Sequence, residues 1–328
     1  NWNFVNAWAG NWTGDGAGVF AQRYNSDGTK PVTNGGEFLV NTYVSSGQSL
    51  PAIAMNNSNG QFVITWQSQN QPSPNDSSLG IFAQRYNSDG SKPVTNGGEL
   101  HVNTYTTGVQ QNPSVSMDNN GSFVIAWESV NIAAVENAYG IFAQRYNSDG
   151  SIPATNGGEL HVNTHTTGQQ KNASVAMDNN GIFVIAWDGA GSGDTAGVFA
   201  QRYGSDGSSS STNFIVNATT TSTQKFPAAA ITNDSTGNFI ISWQSNQDSG
   251  SGTSGGYGVY TKRFNSDGSA ASSPSIISGE IKINVLTAEA QITPAIALDN
   301  TGDFVVTWAS NLQDTSSYGI YSRRYRTN

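Results

Sequence analysis

A short aromatic segment that ends in tryptophan recurs six times along this chain, and it constrains the fold more than any other feature. One copy reads Phe-Val-Ile-Ala-Trp at 123–127, and the copies end at Trp8, Trp66, Trp127, Trp187, Trp243 and Trp308. Successive copies are separated by 56 to 65 residues. Self-similarity at this period indicates tandem copies of one supersecondary unit.

Each copy of the unit contains four strand-like blocks in a fixed order. In one copy they are Pro113–Met117, Phe123–Trp127, Gly140–Tyr146 and Glu159–Asn163. The blocks are rich in β-branched and aromatic residues, are bounded by Gly, Asn or Asp, and show no helical periodicity. We therefore expect four-stranded antiparallel sheets joined by tight turns.

Apolar residues occupy both faces of the second block, so we expect both faces of each sheet to be covered. Sheets of this kind, repeated about six times, predict an all-β fold: a β-propeller of about six four-stranded blades. An array of β-sandwiches built from pairs of units is the alternative. It is less favoured because a sandwich does not require every unit to be alike.

The repeat boundaries predict a single repeat domain over 1–328, with units of approximately 1–50, 51–112, 113–172, 173–226, 227–293 and 294–328. The first copy begins at the second block and the last copy stops after the third, which predicts 22 strands. We therefore expect incomplete first and last blades. The missing strands could instead come from a neighbouring protomer by β-augmentation.

Charge and cysteine content exclude several classes of function. The formal net charge is −9, with 14 Lys and Arg against 23 Asp and Glu, whereas nucleic-acid binding requires a basic surface. The chain has no Cys, so it has no disulfides and no thiolate metal sites. It also lacks an apolar run of the roughly 18 residues that a membrane span requires. We expect an extracellular protein, and because the chain begins at Asn1 rather than Met, a processed product or a piece of a longer one.

The repeat resembles one found in very large secreted bacterial proteins. The similarity lies in Tyr139–Tyr146, the following Asp149-Gly150, Gly98–Gly108 and the two strand blocks at 113–117 and 123–127. Those proteins are often described as carrying hemolysin-type calcium-binding repeats, and some are adhesin-like. The resemblance covers nearly the whole chain and implies an extracellular bacterial setting without a defined activity. The chain lacks the Gly-Gly-X-Gly-X-Asp nonapeptides of the calcium-binding repeats.

An arginine recurs at one position of the third block in all six copies. Because a residue common to every copy usually serves the shared fold, we predict that these arginines fix the register between blades. Their expected partners are repeat carboxylates such as Glu99, Glu159 or Asp149. The functional alternative is a ring of anion ligands. The arginines are Arg23, Arg85, Arg145, Arg202, Arg263 and Arg324.

Candidate ligand-binding residues lie at and beside the repeated tryptophans. The repeated tryptophans themselves are predicted to be core, since they share a face with Phe and Ile. Trp2 and Trp12 stand outside the pattern and could stack on sugar rings, while Gln67 and Gln244 follow repeat tryptophans and could bind sugar hydroxyls.

Four acidic residues in the variable loops between the second and third blocks are candidate Ca²⁺ ligands. Oxygen-rich, flexible loops can hold this ion, although a solvated loop is the simpler interpretation because the spacing is irregular. These residues are Asp15, Asp194, Asp248 and Asp314.

No catalytic set stands out in the sequence. His101, His161 and His165 are dispersed, and there is no nucleophile elbow. We therefore predict a non-enzymatic structural or adhesion module of a bacterial surface or matrix, with its own copies or surface glycans as partners and assembly through the incomplete end blades. The alternative is a multivalent, lectin-like propeller. A glycan hydrolase ranks third, since it requires one asymmetric acidic cleft.

Overall fold

The computed structural model describes residues 3–12, 15–71, 78–130, 138–209, 212–234, 236–247, 256–271, 279–286, 289–311, 313 and 317–326, without the side chains of 12, 15 and 16. These residues form strands, turns and irregular segments, and none of them is helical. The described part of the chain accordingly offers no helix that could cross a membrane.

The chain divides into two compact units, 1–162 and 163–328. Each unit contains three antiparallel sheets, here called blades one to three and blades four to six. The strands of the first unit are β1 (Phe4–Trp12), β2 (Asp15–Tyr24), β3 (Phe38–Leu39), β4 (Gln48–Met55), β5 (Phe62–Gln69), β6 (Leu79–Tyr86), β7 (Leu100–His101), β8 (Gln110–Met117), β9 (Phe123–Val130), β10 (Tyr139–Tyr146) and β11 (Leu160–His161).

The second unit repeats this order. Its strands are β12 (Gln170–Met177), β13 (Phe183–Gly191), β14 (Asp194–Tyr203), β15 (Phe214–Ile215), β16 (Gln224–Ile231), β17 (Phe239–Ser245), β18 (Gly258–Phe264), β19 (Ile281–Lys282), β20 (Gln291–Leu298), β21 (Phe304–Asn311) and β22 (Tyr318–Tyr325).

Every blade is an up-and-down meander in which sequential strands pair. Blades two to five have four strands, while blade one lacks a first strand and blade six lacks a fourth among the described residues. The prediction of an all-β propeller fold with about six four-stranded blades, incomplete at both ends, is therefore confirmed. The fourth strands are only two residues long, much shorter than the five-residue blocks predicted for them.

Within each unit, the blades pack face to face in one direction. Val19 and Ala21 of blade one lie against Phe62, Ile64 and Trp66 of blade two. The same pattern joins blades two and three, four and five, and five and six. The small-residue face of one blade thus covers the aromatic face of the next, which explains why both faces of each sheet are apolar.

Each first strand contains a β-bulge opposite the repeated tryptophan. In β8, Gln111 pairs with Glu128 and Ser114 with Ala126, so two residues oppose Trp127 alone. The first residue of the bulge has a positive φ, as at Asn112 (54°). A bulge bends the strand and leaves a main-chain N–H outside the ladder. The positive-φ residues at the five bulges are Leu50, Asn112, Asn172, Phe226 and Thr293.

Candidate functional site

A cleft of about 490 Å³ lies between blades four and five in the second unit. Its walls are formed by the start of β12, the β13–β14 hairpin and the start of β16. The first strands supply their bulges to this cleft, so positive-φ residues stand in its wall. One of them, Phe226, is 40% exposed and presents an aromatic ring to solvent.

Asp188 is the acidic residue among the described residues that line this cleft. It is only 6% exposed. Its Oδ1 atom accepts hydrogen bonds from Asn172 Nδ2 at 2.7 Å and from the main-chain N–H of Phe226 at 3.0 Å. The carboxylate therefore joins the bulges of two successive blades, and these contacts fix its orientation at the edge of the cleft.

The position after the tryptophan performs the same joining role in other blades. Gln67 Oε1 accepts from the N–H of Asn112 at 3.1 Å, and Gln244 Oε1 accepts from the N–H of Thr293 at 2.9 Å. The predicted sugar-binding residues Gln67 and Gln244 thus lie at blade-to-blade contacts. A sugar-binding role for them stays a prediction.

Glu128 in blade three occupies the corresponding position and is fully buried. Its carboxylate accepts from Gln111 Nε2 at 3.0 Å and from Asn112 Nδ2 at 2.9 Å, both in its own blade. At the position after the repeated tryptophan, blades three and four thus have the acidic residues Glu128 and Asp188, whereas blades two and five have glutamine.

Two lysines also line the cleft and depart from the repeat. Lys171 and Lys225 occupy the second position of β12 and β16, where blades two, three and six have Ser49, Gln111 and Ile292. Lys171 is the cross-strand partner of Asp188, so their side chains leave the sheet on the same face. The cleft thus combines a carboxylate with two ammonium groups.

Hydroxyl groups complete the polar lining of the cleft. Thr195 stands on the short β13–β14 hairpin, and Thr223 immediately precedes β16. Together with Asn172 and the lysines they offer several hydrogen-bond donors around an exposed aromatic ring. This combination of one apolar ring and several convergent polar groups is typical of small-molecule and sugar sites.

A smaller cavity of about 130 Å³ lies on the other face of blade four. Trp187 and Phe199 form its apolar wall, with ring centroids 6.4 Å apart, and His165 and Asn213 contribute polar atoms. Because successive residues of a strand point to opposite faces, Trp187 and Asp188 serve different cavities. Trp187 is almost fully buried, as the core interpretation of the repeated tryptophans predicts.

The candidate Ca²⁺ ligands are only partly described. Asp194 is 5% exposed, and its carboxylate accepts from the N–H of Ala196 at 2.9 Å and from Asn217 Nδ2 at 2.8 Å. It therefore stabilises its own hairpin. Asp248 and Asp314 lie outside the described residues, and Asp15 begins β2 with its side chain outside them. Within the described chain, no group of three or more His, Asp or Glu side chains could hold a metal ion.

Two further predicted ligand-binding residues are also outside what the structure describes. Trp2 precedes the described residues, and Trp12 ends β1 with its side chain undescribed. Their proposed stacking on sugar rings stays a prediction.

The repeated arginines link successive blades through main-chain oxygens. Arg85 donates from Nη1 to the carbonyl of Asp149 and from Nη2 to the carbonyl of Ser148, both in the third-strand turn of blade three. Arg23 makes the same pair of contacts with the turn of blade two. Burial lowers the pKa of the Arg85 guanidinium, although an arginine remains charged at neutral pH.

The carboxylate partners expected for Arg23 and Arg85 are thus replaced by carbonyls of the adjoining blade. Glu99 and Glu159 instead accept from the N–H and hydroxyl groups of Thr42 and Thr104. Carbonyls replace carboxylates because the turn directs its main-chain oxygens at the preceding blade.

The partners of the remaining arginines differ from blade to blade. Arg263 donates to the carbonyl of Gly302 at 3.0 Å, while Arg324, in blade six, forms a 3.1 Å ion pair with Asp303. Arg145 and Arg202 lie at the same position of β10 and β14.

Comparison with known proteins supports the fold and gives no family. No protein-family model matches the chain, and a comparison with curated proteins found no match. Solved structures do match. A protein of unknown function from Dyadobacter fermentans is 12% identical, with a TM-score of 0.57, over 100% of this chain and 92% of its own.

Two further matching structures are glycosidases by description. The Hadza microbial sialidase Hz136 is 10% identical, with a TM-score of 0.55, over 98% of this chain and 63% of its own. The α-L-arabinofuranosidase Arb93A from Fusarium graminearum is 10% identical, with a TM-score of 0.50, over 99% of this chain and 89% of its own. At these identities the similarity establishes a shared fold.

These matches overturn the expectation of a non-enzymatic structural or adhesion module. The fold is one that known glycosidases use, whereas the repeat pattern alone places a glycan hydrolase third among the candidate functions. The third rank followed from the absence of a unique acidic pair in any one repeat copy. Carboxylates that act together are brought together by the fold and need not be neighbours in sequence.

Proposed function

We propose that this protein hydrolyses glycosidic bonds and that the sugar binds in the cleft between blades four and five. The observation that supports this most is the position of Asp188: an oriented carboxylate at the edge of a polar cleft, at the place where the repeat departs from its own pattern. The two glycosidases of the same fold add support.

Asp188 would stabilise the positive charge that develops at the anomeric carbon. Glycoside hydrolysis passes through an oxocarbenium-like transition state, and a preorganised carboxylate beside it lowers the barrier. Asn172 and the N–H of Phe226 already hold the carboxylate in place. Little reorganisation is then needed when the charge forms.

The other lining residues would position the sugar. The exposed ring of Phe226 offers an apolar platform for a pyranose or furanose face. Lys171, Lys225, Thr195 and Thr223 offer donors for hydroxyl oxygens. Convergent polar groups around one apolar surface select for ligands that carry many hydroxyls.

The test measures turnover and binding separately, since glycosidases generally use two carboxylates. Purified protein is assayed for reducing-sugar release from a polysaccharide panel and for cleavage of chromogenic glycosides, including α-L-arabinofuranosides and sialosides. Affinity electrophoresis on the same polysaccharides reports binding. We expect release from at least one of these substrates.

Asp188→Asn is the matched variant for this assay. It removes the charge but keeps an oxygen that can accept from Phe226 N–H, as Gln67 and Gln244 do at the same position. We expect about a 100-fold or greater loss of turnover, with unchanged thermal unfolding. Turnover that survives in this variant, or sugar binding without turnover in the wild type, would refute hydrolysis at this cleft.

We also propose that the protein is extracellular and binds its glycan substrate outside the cell. The support is the resemblance of the repeat to those of large secreted bacterial proteins, together with the net charge of −9 and the absence of cysteine. Fractionation of the source cells tests this, with the protein expected in the medium or at the cell surface. Recovery in the cytoplasmic fraction alone would contradict it.

A further inference from the structure

We propose that the smaller cavity, on the tryptophan side of blade four, is a second ligand site that binds the acetamido group of an N-acetylated amino sugar. It lies on the opposite face of the blade from the cleft that contains Asp188. That a sugar carries the group rests on the proposed function, whereas the choice of an acetamido group rests on the cavity itself.

The cavity lies where other blades have a glutamine side chain. In blade two, Gln71 is only 9% exposed and donates from Nε2 to Glu99 Oε1 at 2.8 Å. In blade five, Gln247 donates in the same way to Glu280 Oε2 at 3.4 Å. Each glutamine follows the repeated tryptophan, and each glutamate immediately precedes the fourth strand. A side-chain amide therefore occupies this place in those blades.

Both members of this pair are replaced in blade four. Ser192 stands where blade two has Gln71, five residues after the repeated tryptophan. Asn213 stands where blade two has Glu99, and its Oδ1 accepts the N–H of Thr164, a bond that Glu99 makes to the equivalent threonine of blade two. Asn213 thus keeps the bond to threonine but lacks the second carboxylate oxygen. A cavity of about 130 Å³ remains in place of the pair.

A glycine keeps the cavity open on the side of the β13–β14 hairpin. A Cβ on Gly191 would lie 2.4 Å from Cζ of Phe199, so the hairpin backbone passes directly over this ring and no side chain enters there. Trp187 and Phe199, only 2% and 4% exposed, form the floor. Thr164 and Ser192 are exposed and mark the mouth. The cavity therefore has an apolar floor and a polar rim.

The floor also offers an unused hydrogen-bond donor. In blades two, three, five and six, Nε1 of the repeated tryptophan is buried without a hydrogen-bond partner. Nε1 of Trp187 does not belong to this sealed set, and no hydrogen bond within the described residues uses it. Because Trp187 lines the cavity, its N–H is within reach of a bound group. An indole N–H only donates, so the ligand atom that meets it is an acceptor.

Size and charge restrict the group that can enter. A cavity of about 150 Å³ holds a benzene molecule, so this one holds a substituent rather than a whole sugar. None of the described residues that line it is Asp, Glu, Lys or Arg, which favours a neutral group because an unpaired charge is costly to bury.

An acetamido group meets each of these conditions. Its methyl packs on Phe199, its carbonyl oxygen accepts from Trp187 Nε1, and its N–H faces the hydroxyl of Ser192. It also restores to blade four the amide that Gln71 supplies in blade two. The match is therefore one of shape, polarity and charge.

The mouth has room for the sugar ring that carries the group. In blade two, the hydroxyl of Tyr43 donates to the carbonyl of Asn70 at 3.3 Å and ties the hairpin to the segment before the first strand. His165 stands at this position in blade four, and its Nε2 lies 3.1 Å from Oγ1 of Thr167 instead. No tyrosine closes the mouth, so the sugar ring can rest against the imidazole.

The test uses free N-acetylglucosamine, which has no glycosidic bond to cleave, so the result does not depend on hydrolysis. Saturation-transfer NMR with the full chain reports which protons of the sugar lie against the protein. We expect saturable binding, with the acetamido methyl most strongly saturated. Glucose loses the methyl contact and a hydrogen bond and should bind at least about tenfold more weakly. Glucosamine, with an ammonium group at this position, should not bind.

Two protein variants restore residues that other blades have. Ser192→Gln supplies the glutamine of blade two, and His165→Tyr supplies the tyrosine of blades two and three. Both positions lie at the mouth, so the fold should survive, and thermal unfolding checks this. We expect each variant to weaken N-acetylglucosamine binding by about tenfold or more. Lys225→Gln alters the separate cleft and should leave this binding unchanged.

Four outcomes would overturn the proposal. They are an absence of N-acetylglucosamine binding, equal binding of glucose, binding that Ser192→Gln and His165→Tyr both leave unchanged, and loss of binding in Lys225→Gln, which would assign the acetamido group to the cleft. Binding here by a protein that cleaves no glycan would support this site and refute the proposed hydrolysis, so the two failures are distinguishable.

Discussion

Gln67 and Asn112 join blades two and three: the side-chain Oε1 of Gln67 accepts the main-chain N–H of Asn112 across 3.1 Å. Asn112 is the positive-φ residue of its bulge. Asp188 with Phe226, and Gln244 with Thr293, form the same contact between later blades. The bulge therefore supplies a donor to the preceding blade.

The first prediction tests this contact. Gln67→Leu leaves the N–H of Asn112 without its acceptor and should lower the free energy of unfolding by about 1–2 kcal/mol. Gln67→Glu keeps an acceptor, as Asp188 does in blade four, and should change it by no more than about 0.5 kcal/mol. Chemical denaturation followed by tryptophan fluorescence compares the two. Equal losses would show that the contact contributes nothing.

Two arginines at the same repeat position should differ in their effect on stability. Arg85 is 8% exposed and donates to two carbonyls of blade three, whereas the Arg324 side chain is 62% exposed and pairs with Asp303. Arg85→Ala should cost about 2–4 kcal/mol, since two charge-assisted bonds are lost and buried carbonyls are left unpaired. Arg324→Ala should cost less than about 1 kcal/mol. Thermal unfolding of both variants measures the difference, and similar values would contradict the assigned roles.

Glycines in equivalent turns should also separate two causes of destabilisation. Gly28 and Gly150 share a φ of +81°. A Cβ on Gly28 would meet nothing within 4 Å, while one on Gly150 would lie 2.7 Å from Nη1 of Arg85. Gly28→Ala should cost about 1 kcal/mol from the positive φ alone. Gly150→Ala should cost clearly more, because it also displaces the guanidinium; equal costs in denaturant unfolding would rule out that clash.

Glu159 should make stability depend on pH. Burial raises its pKa, and the bonds from the N–H and hydroxyl of Thr104 only partly oppose this. Because the folded state then holds the proton more tightly than the unfolded state, stability falls as pH rises from the ordinary glutamate pKa of about 4.3 to the raised value.

Glu159→Gln removes this dependence and keeps an oxygen for Thr104. As pH rises through that window, the unfolding free energy of the wild type should therefore fall relative to that of the variant. Urea unfolding at a series of pH values measures it. A difference that stays constant, or moves the other way, would contradict the assigned shift.

The sequence predicts the strands because one residue pattern recurs in every copy. Copies with the same alternation form the same meander, and the four-block order of 113–163 reappears as β8 to β11. The partners of the arginines could not be predicted this way. Repetition shows that a position matters to every blade, but the carbonyls that bind Arg85 are backbone groups with no sequence signature.

The cleft did leave a signal in the sequence. Asp188 replaces the glutamine found at Gln67 and Gln244, and Lys171 and Lys225 replace neutral residues of other copies. Alignment of the copies shows these substitutions but not that they lie together. The bulge could have been inferred from Pro113, since proline within a strand marks a bulge or an edge.

The one-directional packing of the blades has a consequence for how such a chain can grow. Within each unit, the aromatic side of a blade packs on the small-residue side of the blade that precedes it. A duplicated gene segment that encodes one whole blade would thus arrive with both mating surfaces already matched. A chain that lengthens by whole blades therefore needs no compensating substitutions at its blade contacts. One copy can then change its surface residues and acquire a ligand-binding or catalytic role.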